Sequence, residues 1–106
     1  MEEKLNLVRQ FRAFGEKKDG KLKAAAIALY YALLETANEA SHEGGTCRSV
    51  RIDNARLMKR AGIGSERTLA IQRKALQEGG FIEYEAGGKF VEGKRIPGKY
   101  KLLKLY

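Results

Sequence analysis

The sequence predicts an α+β fold with one hydrophobic core. The chain has 106 residues, of which 43% are hydrophobic and 32% are charged, and this balance suits one folded domain. A long segment rich in alanine and leucine indicates a buried helix in the first half. Two short alternating segments and the closing "YKLLKLY" indicate a small antiparallel sheet in the second half.

The first two predicted elements are helices. Residues 3–14 place Leu7, Phe11 and Phe14 at i, i+4 and i+7, so these side chains form one apolar stripe. The glycines and charges of the next seven residues, "GEKKDGK", predict a loop. "LKAAAIALYYALLETANEA", residues 22–40, contains no glycine or proline and is apolar on most sides, which is typical of a central buried helix.

A strand and a pair of shorter helices are predicted next. "CRSVRI", residues 47–52, alternates apolar and polar side chains as a half-buried strand does. A short helix over 54–61 and a longer helix over 65–78 follow. The residues that mark their ends are Asp53 and Gly62 for the first helix, and Ser65 with Gly79 and Gly80 for the second.

A glycine-rich segment between two strands completes the chain. "FIEYE", residues 81–85, reads as a strand, and residues 86–99 contain four glycines and the only proline, which predict a loop or a loose hairpin tip. Two strands joined by a cationic loop after a pair of short helices are the layout of a winged helix-turn-helix, and the loop is the wing. We therefore expect two parts. Residues 1–20 form an extra N-terminal element, made of a leading helix and a loop, and residues 21–106 form the winged helix-turn-helix.

The net charge of +8 is concentrated in the second half of the chain. Residues 1–47 carry seven basic and seven acidic groups, whereas residues 48–106 carry fourteen basic and six acidic groups. A basic surface of this kind attracts a polyanion such as DNA, RNA or an anionic membrane surface. The alternative is a charged surface that only keeps the protein in solution.

The helix over 65–78 is the candidate for reading DNA, because a helix fits the major groove of the B-form duplex. Helical spacing predicts an inward side made of Leu69, Gln72, Arg73 and Leu76, and an outward side made of Arg67, Ala70, Ile71 and Lys74. We expect Arg67 to bond guanine, Ile71 to contact a thymine methyl group and Lys74 to meet a phosphate. Solvated surface groups are the alternative for both cations.

The remaining candidate contacts flank this face. Ser65 is expected to cap the helix and can also contact DNA, whereas Thr68 either contacts phosphate or bonds back to the turn. Arg73 is expected to pair with a carboxylate such as Glu83 or to reach past the core to the backbone. The cations expected to contact phosphates from the wing are Lys89, Lys94, Arg95 and Lys99. A mobile hairpin charged for solubility is the alternative there.

The chain contains few residues for catalysis or cofactor binding. His42 is its only histidine and Cys47 its only cysteine, which is too few for a metal site or an intrachain disulfide. No glycine-rich phosphate loop or nucleophile elbow occurs. We therefore expect no enzyme activity, metal or cofactor. The lack of a signal peptide or a membrane span predicts a cytoplasmic location.

Three segments resemble the winged-helix N-terminal domain of DnaD-like replication proteins. They are "LYYALLETANEA", "VRIDNARLMKRAGIGSERTLAIQRKALQEGGFIEY" and "PGKYKLLKL". That family contains replisome organisers and initiators of phages, plasmids and other mobile elements, and in it the domain binds DNA or self-associates. The resemblance implies duplex DNA and other replication proteins as partners. It implies either a stand-alone winged helix or a piece of a longer initiator.

Two other functions agree with the same sequence. The first is a small transcriptional regulator with the same fold. The second is an assembly module that forms a homodimer or higher oligomer, with Leu7, Phe11 and Phe14 as its interface. Packing of this stripe onto the core of its own chain is the alternative to that interface.

Overall fold

Residues 4–41, 48–88 and 90–106 are described in a computed structural model, and they form an α+β fold. The four helices of these ranges are α1 (Leu7–Lys17), α2 (Ala24–Glu39), α3 (Asn54–Ala61) and α4 (Glu66–Glu78). The strands are β1 (Ser49–Arg51), β2 (Ile82–Glu85), β3 (Phe90–Val91), β4 (Lys94–Arg95) and β5 (Lys99–Leu102). The predicted α+β class and the small antiparallel sheet are confirmed. His42, Cys47 and Lys89 lie outside the described residues.

α1 begins and ends later than the sequence predicted. The side-chain oxygen of Asn6 accepts a hydrogen bond from the Arg9 N–H at 3.0 Å, so Asn6 caps the helix. The helix then continues through Gly15, where a loop was expected, to Lys17. A glycine inside a helix costs about 1 kcal/mol relative to alanine. The burial of Phe14 beside it offsets this cost.

α2 is the central helix, as predicted, and seven of its 16 residues are buried. The rings of Phe14 from α1 and Tyr30 from α2 stack with their centroids 3.7 Å apart. Phe81 meets Phe14 edge-on at 5.2 Å. Phe14 is completely buried in this cluster. The prediction that Phe14 forms a self-association surface is therefore wrong, because its ring fills the core of its own chain.

The ends of α3 and α4 lie where the local sequence predicted them. Asp53 caps α3, because its carboxylate accepts the Arg56 N–H at 2.8 Å. Gly62 ends α3 in the left-handed conformation, with a φ of 71°. Ser65 caps α4 by accepting the Thr68 N–H at 3.1 Å. These local bonds fix the turn between the two helices.

β1, β5 and β2 form an antiparallel sheet in that order, with β5 in the centre. Tyr100 of β5 lies opposite Val50 of β1 and opposite Tyr84 of β2. Side chains alternate between the two faces of a strand. Tyr100 is therefore buried on the helix side, whereas Lys99 and Lys101 lie on the outer face. The expectation that Lys99 belongs to the loop is wrong, because it pairs within the sheet.

The chain leaves the sheet after Leu102, earlier than predicted, and turns towards α1. The amide nitrogen of Gln10 donates to the Leu103 carbonyl at 2.8 Å and to the Tyr30 hydroxyl at 2.7 Å. The amide oxygen of Gln10 accepts the Leu105 N–H at 3.2 Å. Gln10 is completely buried, and these bonds satisfy both ends of its amide. One side chain thus ties α1, α2 and the last residues together.

β3 and β4 form a two-stranded antiparallel hairpin, residues 90–95, between β2 and β5. Its two-residue turn consists of Glu92 and Gly93, with φ values of 52° and 79°. Two positive φ values in a two-residue loop are typical of the type I′ turn, whose twist matches that of the strands. The sequence predicted only a loop or a loose tip here, so the paired strands are an addition to that prediction.

Candidate nucleic-acid interface

α4 is held against the core along one side. Leu69 and Leu76, two turns apart, are completely buried, and Arg73 is half-buried between them. Phe81 and Ile82 close the core behind the helix, as predicted. This packing fixes the rotation of α4 about its own axis, and so determines which of its side chains face outward.

Arg73 anchors α4 to the sheet. Its guanidinium lies 4.0 Å from the centre of the Tyr84 ring and donates a hydrogen bond to the Tyr100 hydroxyl at 2.8 Å. A longer bond of 3.4 Å reaches the side-chain oxygen of Asn54 in α3. The expected pairing with Glu83 is wrong. Since residues alternate along β2, Tyr84 is on the helix side of the sheet and Glu83 is on the other side.

The phenol of Tyr100 is kept in its neutral form. Burial raises the pKa of Tyr100 above its usual value, and the hydrogen bond from Arg73 acts in the opposite direction. The neutral hydroxyl can accept from Arg73 and keep its own proton. α3, α4 and two strands are therefore joined through one guanidinium, which positions the outward side of α4.

The outward side of α4 contains the four side chains that the sequence predicted there, and all four are exposed: Arg67, Ala70, Ile71 and Lys74. Ile71 retains 55% of its accessible surface, which is a large exposure for an apolar side chain. The Lys74 ammonium lies 3.8 Å from the Glu78 carboxylate, an exposed pair that contributes little to stability. The face thus combines two cations with a small apolar patch.

The N-terminal end of α4 is capped by the side chains of neighbouring residues. The Ser65 hydroxyl accepts the Thr68 N–H and donates to the Thr68 hydroxyl at 3.0 Å. The prediction that Thr68 bonds back to the turn is confirmed, and its contact with a phosphate stays a prediction. Glu66 places a carboxylate in the first turn, near the positive end of the helix dipole.

The predicted wing cations do not all lie together. Lys94 and Arg95 form β4 of the hairpin and are exposed. Lys99 lies in β5, opposite Glu85 of β2 and opposite Arg51 of β1, so it is part of the outer face of the sheet. The hairpin strands therefore contribute Lys94 and Arg95 as the charged groups of that surface.

Two exposed apolar residues on the hairpin were missed in the sequence. Phe90 retains 72% of its accessible surface and Val91 retains 53%. Phe90 is paired with Arg95 across the hairpin, and Val91 is paired with Lys94. The sequence signal that could have identified them is the pair "FV". These two apolar residues lie inside a cationic, glycine-rich segment and are not needed for the core.

A second group of cations surrounds α3 and was also missed: Arg51, Arg56, Lys59 and Arg60. Arg60 donates a hydrogen bond to the Glu39 carboxylate, and this bond lowers the pKa of Glu39. Arg56 pairs with the carboxylate that caps α3, and Arg51 donates to a backbone carbonyl at 2.9 Å. Arg60 and Arg51 therefore connect neighbouring elements, whereas Arg56 bonds within α3 and its cap.

A cleft of about 540 Å³ lies between the base of the hairpin and the N-terminal ends of α3 and α4. Asn54 and Glu66 border it on the helix side, and their side chains are 3.4 Å apart. Arg95 and Gly87 border it on the hairpin side. A side chain at position 87 would collide with the Ile96 carbonyl, so glycine allows this close approach of the two segments that lead to and from the hairpin.

No family model, curated protein or solved structure matches this chain. Within the described ranges, no three side chains of the metal-binding types come together. None of the helices in those ranges combines the length and the hydropathy that a membrane span requires.

Proposed function

We propose that the chain is a winged helix-turn-helix domain that binds duplex DNA, with α3 and α4 as the helix-turn-helix and the hairpin as the wing. The element order from α2 onward supports this assignment: helix, strand, helix, helix, strand, hairpin, strand. The central position of the last strand, between β1 and β2, supports it as well. In this arrangement α4 is the recognition helix.

The observation that carries the proposal is the outward side of α4. Arg67, Ile71 and Lys74 are exposed on a helix whose opposite side is locked by the core and by Arg73. Arg67 and Lys74 are seven residues apart, which is about 10 Å along a helix axis. That distance corresponds to about three steps of a duplex that rises 3.4 Å per base pair.

The residue types on this face suit the major groove. A guanidinium such as that of Arg67 can donate two hydrogen bonds to the edge of guanine, and an aliphatic side chain such as Ile71 can contact a thymine methyl group. Lys74 then lies where a phosphate passes. The basic second half of the chain supplies the long-range attraction that brings such a protein to DNA.

Fluorescence anisotropy with a labelled duplex tests the proposal. The variant Arg67→Glu/Lys74→Glu is expected to bind at least about ten-fold more weakly than wild type, a loss of about 1.4 kcal/mol. Arg12→Glu/Lys17→Glu is the matched control, because both residues are exposed on α1 and the change in net charge is the same. Equal weakening by both variants would show attraction by net charge alone and would contradict the role of α4.

The salt dependence of binding gives a second measure. If four to six cations of α4 and the wing meet phosphates, log affinity falls with log salt at a slope of about −4 to −5. The Arg67→Glu/Lys74→Glu variant is expected to have a shallower slope. Wild-type protein that does not bind the duplex at low salt would end the proposal.

Within DNA binding, we favour replication initiation of a mobile element, on the basis of the resemblance to DnaD-like domains. A small transcriptional regulator has the same structural requirements. Sequencing of genomic fragments that the protein retains separates the two. Iterated repeats at an origin support initiation, whereas a single operator upstream of the gene itself supports regulation.

Self-association is a second candidate function, and one surface favours it. Val8 and Phe11 of α1 are 63% and 54% exposed, and Phe11 stacks on Tyr31 of α2 at 5.3 Å. Together with Leu7 and Leu34 they line a shallow apolar groove. Sedimentation velocity of wild type and of Phe11→Asp tests this function, with Lys17→Asp as a control on the same helix. A monomer in every case would remove it.

A further inference from the structure

The hairpin has an aromatic ring and a cation on the same face. Phe90 and Arg95 are direct partners across the two strands, so their side chains lie on one face of the hairpin. Val91 and Lys94 are paired on the opposite face. Phe90 is the most exposed of the large apolar side chains described, and burial in a core does not account for it.

The turn determines how the hairpin meets a polyanion. Glu92 is at its tip, and a carboxylate there is repelled by phosphates. The tip of the hairpin therefore disfavours contact with a nucleic acid. The broad face with Phe90 and Arg95 has no acid in its two strands and offers a flat ring beside a positive charge.

This face continues into the cleft beside α4. Arg95 lines the cleft, and one of its guanidinium nitrogens lies 3.9 Å from the position that a side chain on Gly88 would occupy. Two carboxylates also line the cleft. That of Asp53 already accepts the Arg56 N–H, and that of Glu66 lies 3.4 Å from Asn54. The helix side of the cleft therefore repels phosphates, and the hairpin side, where Arg95 lies, is the side that suits them.

We propose that the Phe90 face of the hairpin is a binding site for single-stranded DNA, distinct from the duplex surface of α4. The ring of Phe90 stacks on one unpaired base, and the guanidinium of Arg95 binds an adjacent phosphate. Base stacking on an aromatic ring tolerates any base, so the site accepts unpaired DNA of any sequence. Exposed cations beside the ring favour this ligand over an apolar protein surface.

The chain contains no tryptophan, which makes a direct readout available. In Phe90→Trp, the only indole of the protein stands at the proposed site. Titration with a 12-nucleotide oligo(dT) is expected to quench its emission, because the base stacks on the indole. The affinity of this variant for the oligonucleotide is expected to stay within about two-fold of wild type. An unchanged emission at saturation would overturn the proposal.

Removal of the ring gives the matched comparison. Phe90→Ser is expected to bind oligo(dT) about ten-fold more weakly, which corresponds to about 1.4 kcal/mol. Val91→Ser, on the opposite face, is expected to stay within about two-fold of wild type. An abasic 12-mer has the same phosphates without bases, and it is expected to bind wild type and Phe90→Ser equally. Equal oligo(dT) affinities of Phe90→Ser and wild type would overturn the site.

The single-strand proposal and the duplex proposal can fail independently of each other. Arg67→Glu/Lys74→Glu is expected to lose duplex affinity and to retain the Phe90-dependent part of oligo(dT) binding. If wild type binds the duplex but not oligo(dT), the single-strand site fails and the winged-helix proposal stands. If wild type binds oligo(dT) through Phe90 but does not bind the duplex, the winged-helix proposal fails and the single-strand site stands.

Discussion

The guanidinium of Arg73 in α4 stacks on the ring of Tyr84 in β2, with 4.0 Å between the guanidinium carbon and the ring centre. Tyr84 in turn packs on Tyr100, with ring centroids 4.7 Å apart. The stack joins α4 to β2 and, through Tyr100, to the central strand of the sheet. A charged residue on the inner side of α4 therefore stabilises the orientation of that helix.

Replacement of Arg73 by lysine is expected to lower the free energy of unfolding by about 1–2 kcal/mol. An ammonium keeps the charge but loses the planar contact with Tyr84 and the fixed geometry of the bond to Tyr100. Urea denaturation measures the change. Arg67→Lys, on the exposed side of the same helix, is the control and is expected to stay within about 0.5 kcal/mol of wild type. Equal stability of the two variants would mean that the stack contributes nothing.

A methyl group at Gly98 tests the same stack from the other side. The side chain of Gly98→Ala would stand 2.7 Å from a ring carbon of Tyr84, which is closer than two carbons can pack. The ring must move from beneath Arg73, and we expect a loss of about 1–3 kcal/mol in thermal or urea unfolding. Gly64→Ala meets open space and serves as the control. If Gly98→Ala leaves the free energy of unfolding unchanged, Tyr84 can shift at no cost.

The buried amide of Gln10 is expected to be a major contributor to stability. Gln10→Leu keeps the volume but leaves the Leu103 carbonyl and the Leu105 N–H without their partner. We expect the free energy of unfolding to fall by about 2–3 kcal/mol in urea denaturation, because unpaired buried polar groups are costly. Gln77→Leu, on the exposed side of α4, is the comparison. A similar small effect at both positions would mean that water replaces the lost bonds.

Stability is expected to fall in alkaline solution as Tyr30 ionises. Burial raises the pKa of Tyr30 from 10.0 to about 12, and the hydrogen bond from Gln10 acts in the opposite direction. Below pH 10 the phenol is protonated in both the folded and the unfolded state, so its contribution is constant. Between pH 10 and 12 the unfolded state loses the proton first, and about 2–3 kcal/mol of stability is lost.

Tyr30→Phe removes this titration and is the measurement that isolates it. Its free energy of unfolding is expected to be lower than that of wild type near neutral pH, because the bond to Gln10 is absent. Between pH 10 and 12 its stability is expected to fall less steeply. Parallel profiles of the two proteins in that range would assign the alkaline loss to other groups, among them Tyr100.

The helices that position the site could be predicted because their signals are local. Asp53, Gly62 and Ser65 act within three or four residues, and the structure has them as caps. Once Leu69 and Leu76 are assigned to the core, helical spacing alone places Arg67, Ile71 and Lys74 outside, and they are exposed. Whether those exposed residues bind DNA stays a prediction.

The errors at Phe14 and Arg73 concern contacts between distant parts of the chain. Phe14 is buried because α1 packs on Tyr30, and nothing in the spacing of α1 distinguishes that outcome from an exposed stripe. The partner of Arg73 depends on which face of β2 meets α4. The strands of the hairpin have two residues each, which is too short for an alternating pattern to indicate them.

The contacts between the N-terminal end of α1 and the residues that follow β5 also bear on how the chain folds. The N–H of Asn6 donates to the Tyr106 hydroxyl at 2.7 Å, and Gln10 bonds Leu103 and Leu105. The docking of α1 is therefore complete only when a segment more than 90 residues later in the sequence is in place. Contacts of such high sequence separation form late, so we expect this closure to slow folding.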